Sequence, residues 1–190
     1  KDEYKNINFK IADFFSANKI IKFTNKKFKI ITALSVFYDA ADPNKFITDV
    51  KKLLSQDGIF LLEFADLASI IQNKMFDTIC HEHLEYYSST VIINLCKKHG
   101  LKVFDIKSND INGASKQFYI SNDNSNFLVN DFFINKILKE EKNLGLADER
   151  TFRKFIRYIN TSKKKLVKLL KKFTRMGKKT HCYGASTKGN

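Results

Sequence analysis

The chain has 190 residues, of which 43% are hydrophobic and 18 are phenylalanine, a globular composition with enough apolar residues for one good core. No run of about twenty apolar residues occurs, and Lys1-Asp2-Glu3-Tyr4-Lys5 lacks the apolar stretch of a signal peptide, which predicts a cytoplasmic protein with no membrane segment. The net charge of +14 invites a nucleic-acid partner or a phosphorylated small molecule, whereas Cys80, Cys96 and Cys182, with no C-x-x-C pair, argue against a disulfide framework or a structural zinc site.

Phe9 to Phe14 is the first strand-like stretch. Ile30 to Phe37 is mostly apolar and β-branched and predicts a buried strand. Tyr38 to Pro43 then reads as a loop, with Asp42 suited to cap a helix and Pro43 to its first turn. Phe46, Ile47, Val50, Leu53 and Leu54 share one face of that helix, which Gln56-Asp57-Gly58 would end. Ile59 to Phe64 is a second buried strand. Strand, helix and strand make a βαβ unit of an open α/β sheet, whose ligands sit beyond the carboxyl ends of the strands. Ser35 to Asp39 and Glu63 to Asp66 fall at that edge.

Phe76 to Ser88 carries the densest chemistry. Two of the four histidines, a cysteine and two carboxylates occupy the six positions Cys80 to Glu85, and burying such a crowd without partners is costly. Val91 to His99 reads as a helix stopped by Gly100. Leu101 to Ile106 and Lys116 to Ser121 read as two antiparallel strands joined by a turn at Asn109 to Gly113, closing the sheet. From Asn130 to about Arg175 the pattern is helical, broken near Gly145 and ended by Gly177. Lysines 163–165, 168, 171 and 172 alternate there with Leu166, Val167, Leu169, Leu170 and Phe173, as on the solvated face of an amphipathic helix, so no nucleic-acid partner is expected. Lys179 onward reads as a strand running into the glycine-containing loop of Gly184 to Asn190.

FDTICHEHLEYYS at Phe76 to Ser88, the preceding stretch from Ile31 to Phe64, NGAS at Asn112 to Ser115 and the terminal YGASTKGN together resemble the S-adenosyl-L-methionine-dependent C-methyltransferases that act on nucleotide-linked keto-sugars. The resemblance implies a partial Rossmann-like class I methyltransferase sheet, followed by a helical segment and the start of a second α/β domain. Residues 1–125 would be the second half of the methyltransferase domain, 126–177 a helical connection and 178–190 the opening of the C-terminal domain. No G-x-G-x-x-G-type loop occurs in the chain, so the cofactor loop and any zinc-binding domain are expected upstream, and the chain is expected to be a fragment with little activity alone.

The same resemblance assigns roles. Methylation of a carbon beside a ketone requires a base, which histidine supplies near neutral pH. His83 is the implied base, Glu82 its support, and His81 either a further catalytic group or a buttress of the loop. Asp13, Phe14 and Ser35 fall to the cofactor, with Asp13 contacting adenine or capping its own loop. Tyr38, Glu63, Cys80, Asn112, Ser115 and Lys188 fall to the substrate. Cys80 stands where many relatives have tyrosine, and Asp39 where some have histidine. Tyr86 and Tyr87 read as pocket wall. Two other readings stay open: a basic RNA-binding module in which the histidine block is structural, and a metal-dependent hydrolase built on the H-x-H pair.

Overall fold

The computed structural model describes residues 7–110 and 114–182. Four strands, β1 (Phe28–Leu34), β2 (Leu54–Phe64), β3 (Leu101–Asn109) and β4 (Ser115–Asn122), form one sheet in the order β1-β2-β4-β3. β1 and β2 are parallel, joined by helix α2 (Pro43–Leu53), while β4 runs antiparallel to both β2 and β3. The predicted βαβ unit and the two closing strands are therefore both present.

Helix α2 begins as its sequence requires. The Asp42 carboxylate accepts a hydrogen bond from the Lys45 amide at 2.9 Å, satisfying one of the donors that the first turn leaves over, and Pro43 has no amide proton to lose. Ser88 caps α4 (Ser89–Lys98) in the same way through the Val91 amide, and Gly100, at φ +68°, lets the chain turn back into β3.

One face of the sheet carries the core. Phe60, Leu62 and Phe64 of β2 alternate inward with Phe118 and Ile120 of β4, and against them pack Ile47 and Val50 of α2, Ile92 and Cys96 of α4, and Ile134 and Ile137 of α5 (Asp131–Leu144). Each fully buried phenylalanine contributes about 1.5–3 kcal/mol relative to an exposed one. Phe37, Phe60, Phe64 and Phe118 are all at most 1% exposed, so the carboxyl ends of the parallel strands are backed by a stiff aromatic layer. A smaller cluster joins Ile70 of α3 (Leu67–Asn73), Met75 and Phe155.

Several boundaries differ from the sequence-based expectation. Phe9 to Phe14 is not a strand among the described residues. No neighbouring strand pairs with it, and the Phe14 ring is 90% exposed. The only helix there is the single turn α1 (Ala17–Ile20). β1 starts two residues earlier and ends at Leu34 rather than Phe37, because Ser35 takes the left-handed conformation at φ +54° and turns the chain into a short 3-10 turn at Phe37–Asp39. Gln56 to Gly58 does not separate helix from strand. β2 follows α2 directly, and those residues form an irregularity between the pairs Phe28↔Leu54 and Ile30↔Ile59. Gly58 permits it, since a Cβ there would lie 2.9 Å from the Phe28 carbonyl oxygen and 2.8 Å from Leu54 Cδ1.

The helical stretch divides as expected, with Gly145 at φ +72° closing α5 before α6 (Glu149–Arg175). The apolar residues of α6 meet two different fates. Phe155 and Ile159 pack near α3 and Tyr86, but Leu166, Val167, Leu169 and Leu170 remain 40–57% exposed, so the far half of the helix shows both faces to solvent. Lys179 to Cys182 carries no strand, having no sheet neighbour, and the remainder of that predicted strand and loop lies outside the described residues. Among the described residues, no helix is long and apolar enough to cross a membrane.

Candidate functional site

A cavity of about 270 Å³ opens at the carboxyl ends of β1 and β2. Ser35 and Tyr38 line it from the turn after β1, Phe64 and Ala65 from the end of β2, and Glu82, His83, Glu85, Tyr86 and Tyr87 from the segment between α3 and α4. The histidine block therefore meets the residues that the strand ends present.

The block is irregular backbone, and the fold pins it at several points. At its far end the Leu67 amide donates to the Tyr87 carbonyl at 2.8 Å. In the middle, the amides of Leu84 and Glu85 both donate to the Tyr38 carbonyl, at 3.0 and 3.2 Å. The Tyr86 hydroxyl sits against the Cys80 backbone, accepting from its amide at 3.2 Å. Beneath the two helix starts that bracket the block lies a buried polar network. Lys116 Nζ is 2.8 Å from Asp66 Oδ2 and 3.3 Å from Ser89 Oγ, and Glu141 accepts from the Ser89 and Thr90 amides at 2.6 and 3.0 Å. Asp66 in turn caps α3 through the Ala68 amide. A broken member would leave a buried charge or donor unpaired, so the network holds both helix starts in one geometry.

His83 is half-buried, and its ring lies 4.0 Å from that of Tyr38, centroid to centroid, and 6.1 Å from that of Tyr86. Burial raises the Tyr38 phenol above its ordinary value, against the opposing effect of a hydrogen bond with Ser35. Burial likewise raises Tyr86, and it pushes Tyr87 up to about 12 with help from the Glu85 charge. All three phenols therefore stay protonated near neutral pH. Asp39 is raised by its desolvated surroundings, with His83 pulling the other way and Glu82 adding to the rise.

The remaining sequence-predicted residues scatter. His81 is exposed and Cys80 half-buried, and neither lines the cavity. Glu63 is 5% exposed but faces away from it, its carboxylate accepting from Gln117 at 2.5 Å and from Asn109 at 3.2 Å. Ser115 is buried at the start of β4 and is also not part of the wall. Asn112 and Lys188 lie outside the described residues. Asp13 forms an ion pair with Lys19 and accepts from the Phe14 amide, which holds its carboxyl below the usual range. Its segment is linked to the cavity by ring contacts, Phe15 to Phe46 at 4.7 Å, Phe46 to Phe37 at 5.2 Å and Phe37 to Tyr87 at 5.0 Å. Among the described residues no group of three His, Cys, Asp or Glu side chains is arranged to hold a metal ion.

Sequence reasoning missed the network of Asp66, Lys116 and Glu141. A helix-capping acid at Asp66 could have been found from its position two residues before Ala68, but Glu141 comes from a helix some fifty positions away from its partners.

Residues 3–106 match a methyltransferase-domain family and residues 110–190 a C-methyltransferase C-terminal-domain family. The C-methyltransferase NovU of Streptomyces niveus is 30% identical over 162 residues, which are 85% of this chain and 38% of NovU. The chain thus spans less than half the length of this curated relative. Among solved structures, the mitomycin 7-O-methyltransferase MmcR is 15% identical over 52% of this chain and 31% of its own, with a TM-score of 0.41. The Synechocystis magnesium protoporphyrin IX methyltransferase ChlM, with bound SAH, is 13% identical over 51% and 46%, with a TM-score of 0.39.

Proposed function

We propose, for a chain that belongs to the S-adenosylmethionine-dependent C-methyltransferase family, that its cavity holds the substrate half of the active site and methylates a carbon beside the ketone of a nucleotide-linked sugar. The observation that carries this reading is the placement of His83 on the cavity wall, against Tyr38 and in the electrostatic company of Glu82 and Asp39.

His83 takes the proton from the substrate carbon, and the electron pair of that C–H bond passes into the enolate. The neighbouring carboxylates stabilise the imidazolium that forms. Tyr38 keeps the ring in orientation, and the aromatic layer of Phe37 and Phe64 excludes water from behind. S-adenosylmethionine supplies the electrophilic methyl group that the enolate carbon accepts. The ionised Asp13 carboxylate beside the exposed Phe14 ring suits an adenine, with an acceptor for its amino group and a face for stacking. Ser35, on the turn after β1, would lie on the cofactor's side of the cavity.

The test is His83→Ala in the full protein, assayed for methyl transfer to a nucleoside-diphosphate-linked keto-sugar. Turnover should be lost while S-adenosylmethionine binding, read by calorimetry, stays within a few-fold. Near-normal turnover would remove His83 from the base role.

A further inference from the structure

Tyr86 joins the core to the loop that carries His83. It packs against the cluster of Ile70, Met75 and Phe155, so helices α3 and α6 fix where its ring sits. The hydroxyl at the far end of that ring meets backbone. It accepts from the Cys80 amide at 3.2 Å, and its own proton faces the carbonyls of Cys80 and Thr78 at 3.4 and 3.5 Å. Cys80 is in turn the residue to which His83 is tied, because the His83 amide donates to the Cys80 carbonyl at 3.3 Å and closes a turn over His81 and Glu82. Packing does little for that turn: His81 and Glu82 are exposed, and the flanking Ile79 and Leu84 are 51% and 56% exposed.

We propose that Tyr86 is a positioning residue: its hydroxyl anchors the entry of the Cys80–His83 turn to the core and thereby fixes the His83 imidazole on the cavity wall. This assignment rests on the reading of His83 as the base. The exit of the turn is held from the other side, by the Tyr38 carbonyl on the Leu84 and Glu85 amides, so without the Tyr86 hydroxyl the turn loses its anchor on the entry side. A loop tip with few buried contacts opens easily, and a base must stay within hydrogen-bond reach of the proton it takes. Burial raises the Tyr86 phenol, so it stays protonated and offers the Cys80 amide an acceptor and the two carbonyls a donor near neutral pH. A hydroxyl committed to backbone in this way orients the loop and leaves the proton transfer to His83. A phenylalanine would fill the same space in the core and leave the Cys80 amide without this acceptor.

The experiment compares Tyr86→Phe with the unmodified full protein, by methyl transfer to a nucleoside-diphosphate-linked keto-sugar and by amide hydrogen exchange read with mass spectrometry. The variant should lose about 10-fold in kcat, while KM and the calorimetric Kd for S-adenosylmethionine stay within about 2-fold. Peptides covering Phe76 to Ser88 should exchange faster, with those of β2 and α4 unchanged. A kcat within about 3-fold of the unmodified protein would overturn the proposal, and so would unchanged exchange in Phe76 to Ser88. A loss of turnover matched by a fall in folded fraction, read by thermal unfolding, would overturn it too, since the hydroxyl would then hold the fold and not the imidazole. His83→Ala is run alongside. If that variant is inactive while Tyr86→Phe is not, the base role stands and the positioning role fails. If His83→Ala keeps its turnover, the base role itself fails, while exchange in Phe76 to Ser88 still reports whether Tyr86 holds the turn.

Discussion

The Tyr38 residue holds His83 twice, through its side chain and through its backbone. Its ring lies 4.0 Å from the imidazole, and its carbonyl accepts the amides of Leu84 and Glu85, the two residues that follow His83. One residue on the turn after β1 thus sets both the ring and the backbone of the histidine block.

Tyr38→Ala should therefore cost more than a wall residue would. Loss of the ring frees the imidazole, and on the base role proposed for His83 a misplacement of about 1 Å costs on the order of 100-fold. Tyr38→Phe keeps the ring contact and loses only the Ser35 hydrogen bond, so it should stay within about 10-fold of the unmodified protein. The ratio of kcat/KM for the two variants, measured by transfer of a labelled methyl group, checks this. Equal losses would mean that the phenol, not the ring, matters.

Stability should fall on the acid side through Glu141. Burial alone would raise its carboxyl, but hydrogen bonds from Thr90 and Ser89 outweigh it and hold the folded value below 4.5. The unfolded chain then binds the proton more readily, so the contribution of Glu141 is complete above about pH 4.5 and is lost as pH falls through the folded value. Glu141→Gln should flatten this part of the stability curve, measured by urea unfolding between pH 3 and pH 6. Glu141→Ala should cost about 3 kcal/mol at neutral pH, because the α4 start loses its acceptor.

Gly58→Ala tests the irregular join between α2 and β2. The added methyl group would press on the Phe28 carbonyl and on Leu54, and overpacking of this kind costs about 1–3 kcal/mol. The urea midpoint should drop with an unchanged m-value.

Alkylation should rank the three thiols. Cys182 is exposed and Cys80 half-buried, whereas burial pushes Cys96 up to about 12 inside the core. Brief iodoacetamide treatment at pH 8 followed by mass spectrometry should label Cys182 first and Cys80 more slowly. Cys96 should react only on unfolding, and its labelling in the native protein would contradict the core described here.

Much of this molecule was legible in its sequence because the signals are local. Asp42-Pro43 marks a helix start through one side chain and one missing proton, and the alternation in Phe60 to Phe64 and Phe118 to Ile120 identifies strands with one buried face. The family resemblance likewise followed from the order of the motifs. What remained illegible depends on partners distant in the chain. Phe9 to Phe14 has strand-forming residues but no neighbour to pair with, and Glu63 stands at the ligand edge in sequence while Gln117 and Asn109 take up its carboxylate. Tyr86 and Tyr87 look equivalent in sequence. Only packing gives one hydroxyl the Cys80 backbone and leaves the other enclosed and unpaired, because hydrogen-bond satisfaction depends on which groups the fold brings within 3.5 Å, and no local pattern encodes that.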